Sequence, residues 1–82
     1  MLTEYIQAAM SRAKYELLED GSYYGEIPRF RGVWANEASL ESCRAQLQEV
    51  LEDWMVISLR VGHRLPKLPG VKPFPPKTKL AV

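Results

Sequence analysis

Tyr15-Glu16-Leu17-Leu18-Glu19-Asp20-Gly21-Ser22-Tyr23-Tyr24-Gly25-Glu26-Ile27-Pro28 is the stretch that decides the fold. Two short runs of strand-forming residues flank Asp20-Gly21. That pair favours a type I′ hairpin turn, whose two central residues need positive φ. The reading gives a first strand over 14–19 and a returning strand over 22–27. On the returning strand Tyr23, Gly25 and Ile27 share one face, and Tyr24 and Glu26 share the other. Gly25 inside a strand marks a bulge or a close backbone approach. Pro28 cannot donate to a ladder and ends the strand.

Downstream of the hairpin, Arg29-Phe30-Arg31-Gly32 is a connection and Val33 to Asn36 a third, short strand. A long helix follows from about Ser39 to Val61, with Ser39 as N-cap and Glu41 near the positive end of the dipole. Leu40, Cys43, Leu47, Val50, Leu51, Trp54 and Ile57 or Ser58 form its core stripe, and Glu41, Arg44, Gln48 and Glu52 its wet face. Gly62 is a C′ stop, and Pro66 forbids continuation. Upstream, a short helix spans about 3–12 with Thr3 as its cap. Leu2, Tyr5, Ile6, Ala9, Met10 and Ala13 recur there at helical spacing. Residues 65–82 make a Pro-rich basic tail in which 65–76 hold five of the six prolines. Its last residues, Lys77 to Val82, are either a final strand or an unstructured end. The fold class is therefore α+β: a small antiparallel sheet with the long helix on one face, a short N-terminal helix beside it, and a single domain over 1–82.

A chain of 82 residues buries only ~60–65% of its unfolded surface, so it gains from association. The segment Trp54-Met55-Val56-Ile57-Ser58-Leu59 is apolar nearly all round, and a helix apolar on every side is buried on every side. Trp54, Met55, Val56 and Leu59 are accordingly the expected contacts of a homo-oligomer, dimer or tetramer. No apolar run approaches the ~18 residues of a membrane span. The opening Met1-Leu2-Thr3-Glu4-Tyr5 lacks the basic and apolar regions of a secretory signal. One cysteine forms no internal disulfide. A reducing cytoplasm is the expected compartment.

The net charge of +1 hides an asymmetry. Residues 1–59 hold all ten acids and five of the eleven bases, a balance of −5; residues 60–82 hold six bases and no acid, a balance of +6. An acidic body disfavours nucleic acid and suits a basic partner. The plain alternative is a solvated surface with a tail folded back on acidic groups.

Chemistry finds little to work with. Cys43 lies on the apolar stripe with no histidine in its pattern and reads as a small buried hydrophobe. His63 is the only histidine and sits just past a helix end, where it favours the dipole or is an ordinary loop residue. Glu16, Glu19, Asp20 and Glu26 surround the hairpin. Metal-dependent cleavage needs carboxylates converging in one pocket, whereas charges around a turn keep its edges soluble. Tyr23, Tyr24, Phe30 and Trp34, with Arg29 and Arg31 between, are either core and subunit contacts or a platform for single-stranded bases. No phosphate loop, nucleophile elbow or Cys/His cluster is present in the sequence. No catalytic residue, metal site or cofactor is expected.

The acidic hairpin, Tyr24-Gly25-Glu26-Ile27-Pro28, the Gly32-Val33 step, the Leu40/Leu47/Leu51/Trp54 helix and the Leu65-Pro66 exit occur in an order that resembles the HicB-like antitoxin family. The resemblance covers residues 14–68, and the leading helix is similar to stand-alone members. It implies a β-β-β-α-β domain, a partial RNase H-like fold without that enzyme's active site, with Lys77 to Val82 as last strand. Two departures are visible. Phe30-Arg31-Gly32-Val33 stands where members often read Leu-Pro-Gly-Cys. Many members add a helix-turn-helix or a ribbon-helix-helix for operator binding; the residues after the helix here are too few for a helix-turn-helix, which leaves operator binding an open question.

The functional expectation is a non-enzymatic protein–protein module, similar to antitoxins that neutralise a small basic HicA-type toxin. Glu16, Glu19, Asp20, Tyr24 and Glu26 would form the partner surface, with Tyr24 either its anchor or packed under the long helix. The alternative is a nucleic-acid-binding regulator that uses the Arg29/Phe30/Arg31/Trp34 strip and the basic tail.

Overall fold

The structure, a computed structural model, describes residues 2–70. Its elements in chain order are α1 (Leu2–Ser11), β1 (Lys14–Leu17), β2 (Tyr23–Glu26), β3 (Trp34–Glu37) and α2 (Leu40–Arg60). The three strands form one antiparallel sheet in the order β1-β2-β3. One face of β2 and β3 is covered by α2, and α1 packs against α2. The α+β architecture is the one anticipated. The expected strand at 77–82 and most of the basic tail lie outside the described residues.

The hairpin turn differs from the type I′ expectation. Gly21 has φ of 86°, but among the described residues Arg29 is the only non-glycine with positive φ, so Asp20 does not take the left-handed conformation. Gly21 N–H donates to Leu18 C=O at 2.9 Å and Leu18 N–H to Ser22 C=O at 2.8 Å. This is the three-residue loop, a type I turn closed by a left-handed glycine. Asp20 instead ties the turn together from its side chain. Its Oδ1 accepts from Ser22 N–H at 2.9 Å and from Ser22 Oγ at 2.6 Å. Those bonds hold its carboxyl below the usual range.

Register is unbroken along both ladders, with Gly25 opposite Tyr15 on one side and Ala35 on the other. Gly25 therefore marks a close approach and not a bulge. The helix-covered face carries Tyr15, Tyr23, Gly25 and Ala35, and Cys43 reaches it with Sγ 3.6 Å from Ala35 C=O.

Ser39 caps α2 as its position predicts. Its Oγ accepts from Ser42 N–H at 3.0 Å, and Ser42 Oγ accepts in return from Ser39 N–H at 3.3 Å. The far end closes with a Schellman pair: Gly62 N–H donates to Leu59 C=O at 3.1 Å and His63 N–H to Ser58 C=O at 2.8 Å. The buried row of α2 is Cys43, Leu47, Leu51, Met55 and Ser58, while Leu40 and Ile57 face solvent. A row at i+4 spacing slants across the helix surface. The covered side thus moves from the sheet at Cys43 to Phe30 at Trp54. Of the two expected ends of the stripe, Ser58 is buried and Ile57 is not, and Met55 joins the row.

Thr3 does not cap α1, because the helix already begins at Leu2. Tyr5, Ala9 and Met10 are its buried residues. They join Ile27, Phe30, Val33, Leu65 and Leu68 in one core. The start of the tail is thus structural. Tyr5 Oη donates to Pro66 C=O, Arg12 Nη2 to Pro69 C=O at 3.1 Å and Arg29 Nη1 to Lys67 C=O at 3.2 Å. Among the described residues no helix is long and apolar enough to cross a membrane.

Candidate functional site: the open sheet face

The side of the sheet away from α2 presents one row from each strand. Cross-strand pairing puts Glu16 beside Tyr24 and Tyr24 beside Asn36, and it puts Lys14 beside Glu26 and Glu26 beside Trp34. Residues directly opposite in an antiparallel ladder share a face. Lys14, Glu16, Tyr24, Glu26, Trp34 and Asn36 therefore lie together on the open side.

At the centre, the Tyr24 and Trp34 rings stack with centroids 6.0 Å apart and planes 25° from parallel. Trp34 is 53% exposed. Tyr24 Oη donates to Glu26 Oε1 at 3.1 Å. Partial desolvation, the bond to Glu26 and the charge of Glu16 together raise the Tyr24 phenol pKa, so the hydroxyl stays a donor. Asn36 Nδ2 donates to Ser22 Oγ and Tyr23 C=O, both at 2.9 Å, and ties β3 to the hairpin. A groove of about 270 Å³ continues from the ring pair along Pro28, Arg29, Arg31 and Gly32.

Of the five expected partner residues, Glu16, Tyr24 and Glu26 are thus brought together. Tyr24 does not pack under α2. Glu19 and Asp20 are exposed at the hairpin tip, off the strand rows. The aromatic–arginine strip is broken: Arg29, Arg31 and Trp34 are exposed, but Phe30 is 3% exposed. It packs edge-on against Trp54 at 5.2 Å and Tyr5 at 6.3 Å. The left-handed Arg29 turns the loop so that Phe30 points inward, a conformation no local propensity announces. Sequence reasoning missed the Tyr24–Trp34 pair. Its signal is the β2–β3 register, which depends on a connection with no turn signature.

In the expected oligomer set, Met55 is buried within the chain, Trp54 and Leu59 are partly covered by the core, and Val56 is 52% exposed. Cys43 is fully buried, and burial pushes its thiol pKa up. His63 is exposed. Among the described residues no three His, Cys, Asp or Glu side chains are grouped to hold a metal ion.

The UPF0150-like family profile matches residues 4–66, which takes in α1 from Glu4 onward, all three strands, α2 and the exit to Pro66. The chain belongs to the UPF0150-like family. That family comprises small HicB-related, antitoxin-like proteins. The UPF0150-like chain is also similar to TTHA0281 from Thermus thermophilus, whose crystal structure superposes with a TM-score of 0.81. The two are 51% identical, over 85% of this chain and 88% of that one. No curated protein matches the sequence.

Proposed function

We propose that this UPF0150-like chain is a non-enzymatic, antitoxin-like module that neutralises a small basic toxin of the HicA type, an RNA-cleaving protein, by covering its working surface. The observation that carries the reading is the open sheet face, where a rigid, half-exposed aromatic pair is flanked by Glu16 and Glu26. Such a pair offers a large anchor at low entropy cost, and carboxylates around it steer a basic partner. A guanidinium from the partner would stack on the Trp34 ring and meet Glu26. The chain supplies a surface and no reacting group.

Nucleic-acid binding is the competing reading, and the groove along Arg29 and Arg31 favours it. Against it stand the burial of Phe30 and the presence of Glu26 in the same groove. Such binding would be weak, carried by the bases after residue 59, and lost steeply with added salt.

The test is association with purified HicA-like toxins, followed kinetically at two salt concentrations. The Glu19→Lys/Glu26→Lys double variant should associate more slowly at low salt. Tyr24→Ala should dissociate faster, by ~2 kcal/mol or more if the ring is an anchor. Failure of the wild type to bind any such toxin refutes the proposal. So does RNA cleavage by the chain itself that disappears in Glu26→Gln.

A further inference from the structure

The outer side of α2 carries a second pattern. Glu49, Asp53, Val56, Ile57 and Arg60 fall within an arc of about 100° at helical spacing, turned away from the buried Cys43, Leu47, Leu51 and Met55. Val56 and Ile57 are 52% and 62% exposed, and Val61, at the cap, is 60% exposed. Single exposed apolar residues are ordinary, but three in two turns form a patch. The charges around it are sorted: acids lie on the N-terminal side, at Glu49 and Asp53, and bases on the C-terminal side, at Arg60 and Arg64. Among the described residues neither Asp53 nor Arg60 forms an ion pair within the chain.

This order is self-complementary under one operation. A two-fold axis between Val56 and Ile57, perpendicular to the helix, sets a second α2 antiparallel to the first. Val56 then packs beside Val56 of the second copy and Ile57 beside its Ile57, while Asp53, near the centre line, faces its Arg60. Each charge lies ~5 Å along the helix from the axis. Glu49 points toward the end of the second helix, where Arg64 follows. A parallel arrangement would instead set Asp53 against Asp53 and Arg60 against Arg60. An isologous contact repeats each pair twice.

We propose that this face, Asp53-Val56-Ile57-Arg60, is an antiparallel contact between two copies of the chain. It uses the outer surface of α2 and leaves the open sheet faces of both copies uncovered. It involves none of the residues assigned to the toxin, so each proposal stands or falls without the other. About three turns of helix make a contact at the small end of specific interfaces, so the dimer forms reversibly with rising concentration.

The experiment is sedimentation equilibrium of the full chain over a range of concentrations, with circular dichroism to establish that each variant is folded. The wild type should show a monomer–dimer equilibrium that weakens with salt. Asp53→Arg and Arg60→Asp should each weaken it about tenfold or more, since each reversal alters two contacts at once. The double variant, and an equimolar mixture of the two single variants, should recover association. Both place opposite charges together again. A wild type that stays monomeric overturns the proposal. So does self-association that both reversals leave unchanged, or variants whose mixture is no tighter than either alone.

Discussion

Replacing Gly25 by alanine adds one methyl group at the most crowded point of the sheet. That methyl would stand 2.9 Å from Cδ1 and Cε1 of Tyr15 and 3.2 Å from Cys43 Sγ. Tyr15 lies directly opposite on β1 and covers the bare backbone of Gly25 with its ring. Cys43 is fully buried, whereas Tyr15 is 37% exposed and can swing outward, uncovering the sheet. Overpacking of this kind costs ~1–3 kcal/mol. Removing a strand glycine returns about 0.5–1 kcal/mol of backbone entropy. The net expectation for Gly25→Ala is a loss of ~0.5–2 kcal/mol, or roughly 4–8 °C in Tm per kcal/mol for a domain of this size. Urea denaturation of four proteins isolates the cause: wild type, Gly25→Ala, Tyr15→Ala and the double variant. With Tyr15 already truncated, the added methyl should be neutral or slightly stabilising, giving a coupling of ~1–2 kcal/mol. A Gly25→Ala protein as stable as wild type, or one that loses the same amount in both backgrounds, would refute this account of the glycine.

Two further outcomes follow from the core. Tyr5 is 1% exposed and burial raises its pKa from the usual 10.0 to about 12. The unfolded chain therefore loses this proton first as pH rises. Stability should be full below pH 10 and fall by about 1–2 kcal/mol as pH climbs toward 12, the part-buried hydroxyl being partly screened by solvent; Tyr5→Phe should flatten that part of the profile in denaturant titrations. Trp54→Ala removes the edge contact to Phe30 but truncates a ring only partly buried. It should cost ~2–3 kcal/mol in urea denaturation, below the ~3–5 kcal/mol of a fully enclosed tryptophan.

Much of this architecture is legible in the residues because local chemistry and tertiary packing agree there. Ser39 and Gly62 both cap α2 by mechanisms that these residue types dictate. The Asp20-Gly21 hairpin and its strand alternation likewise come from short-range signals, though the turn class does not. Two neighbouring connections of similar composition show what is illegible. Arg29-Phe30-Arg31 reads as an exposed basic strip, yet Phe30 fills the gap between Tyr5 and Trp54. Leu65 and Leu68 sit among prolines and bases and read as tail, yet both are core. In each case the apolar residue is isolated, without a period, and its destination is set by an element far along the chain. The candidate site divides the same way: alternation on β2 pairs Tyr24 with Glu26, but only the β2–β3 register brings Trp34 to them.

The exit segment after α2 makes folding of this chain a closing event. Tyr5 and Pro66, joined by a hydrogen bond, are 61 positions apart, and Arg12 and Pro69 are 57 apart. Bringing such distant positions together carries a loop-closure cost that local hairpin and helix formation do not meet. During synthesis the first helix leaves the ribosome long before Leu65 and Leu68 exist. Its buried stripe of Tyr5, Ala9 and Met10 must wait, uncovered by them, while the sheet and α2 are made. The core around the N-terminal helix is therefore complete only when nearly all of the described length has emerged.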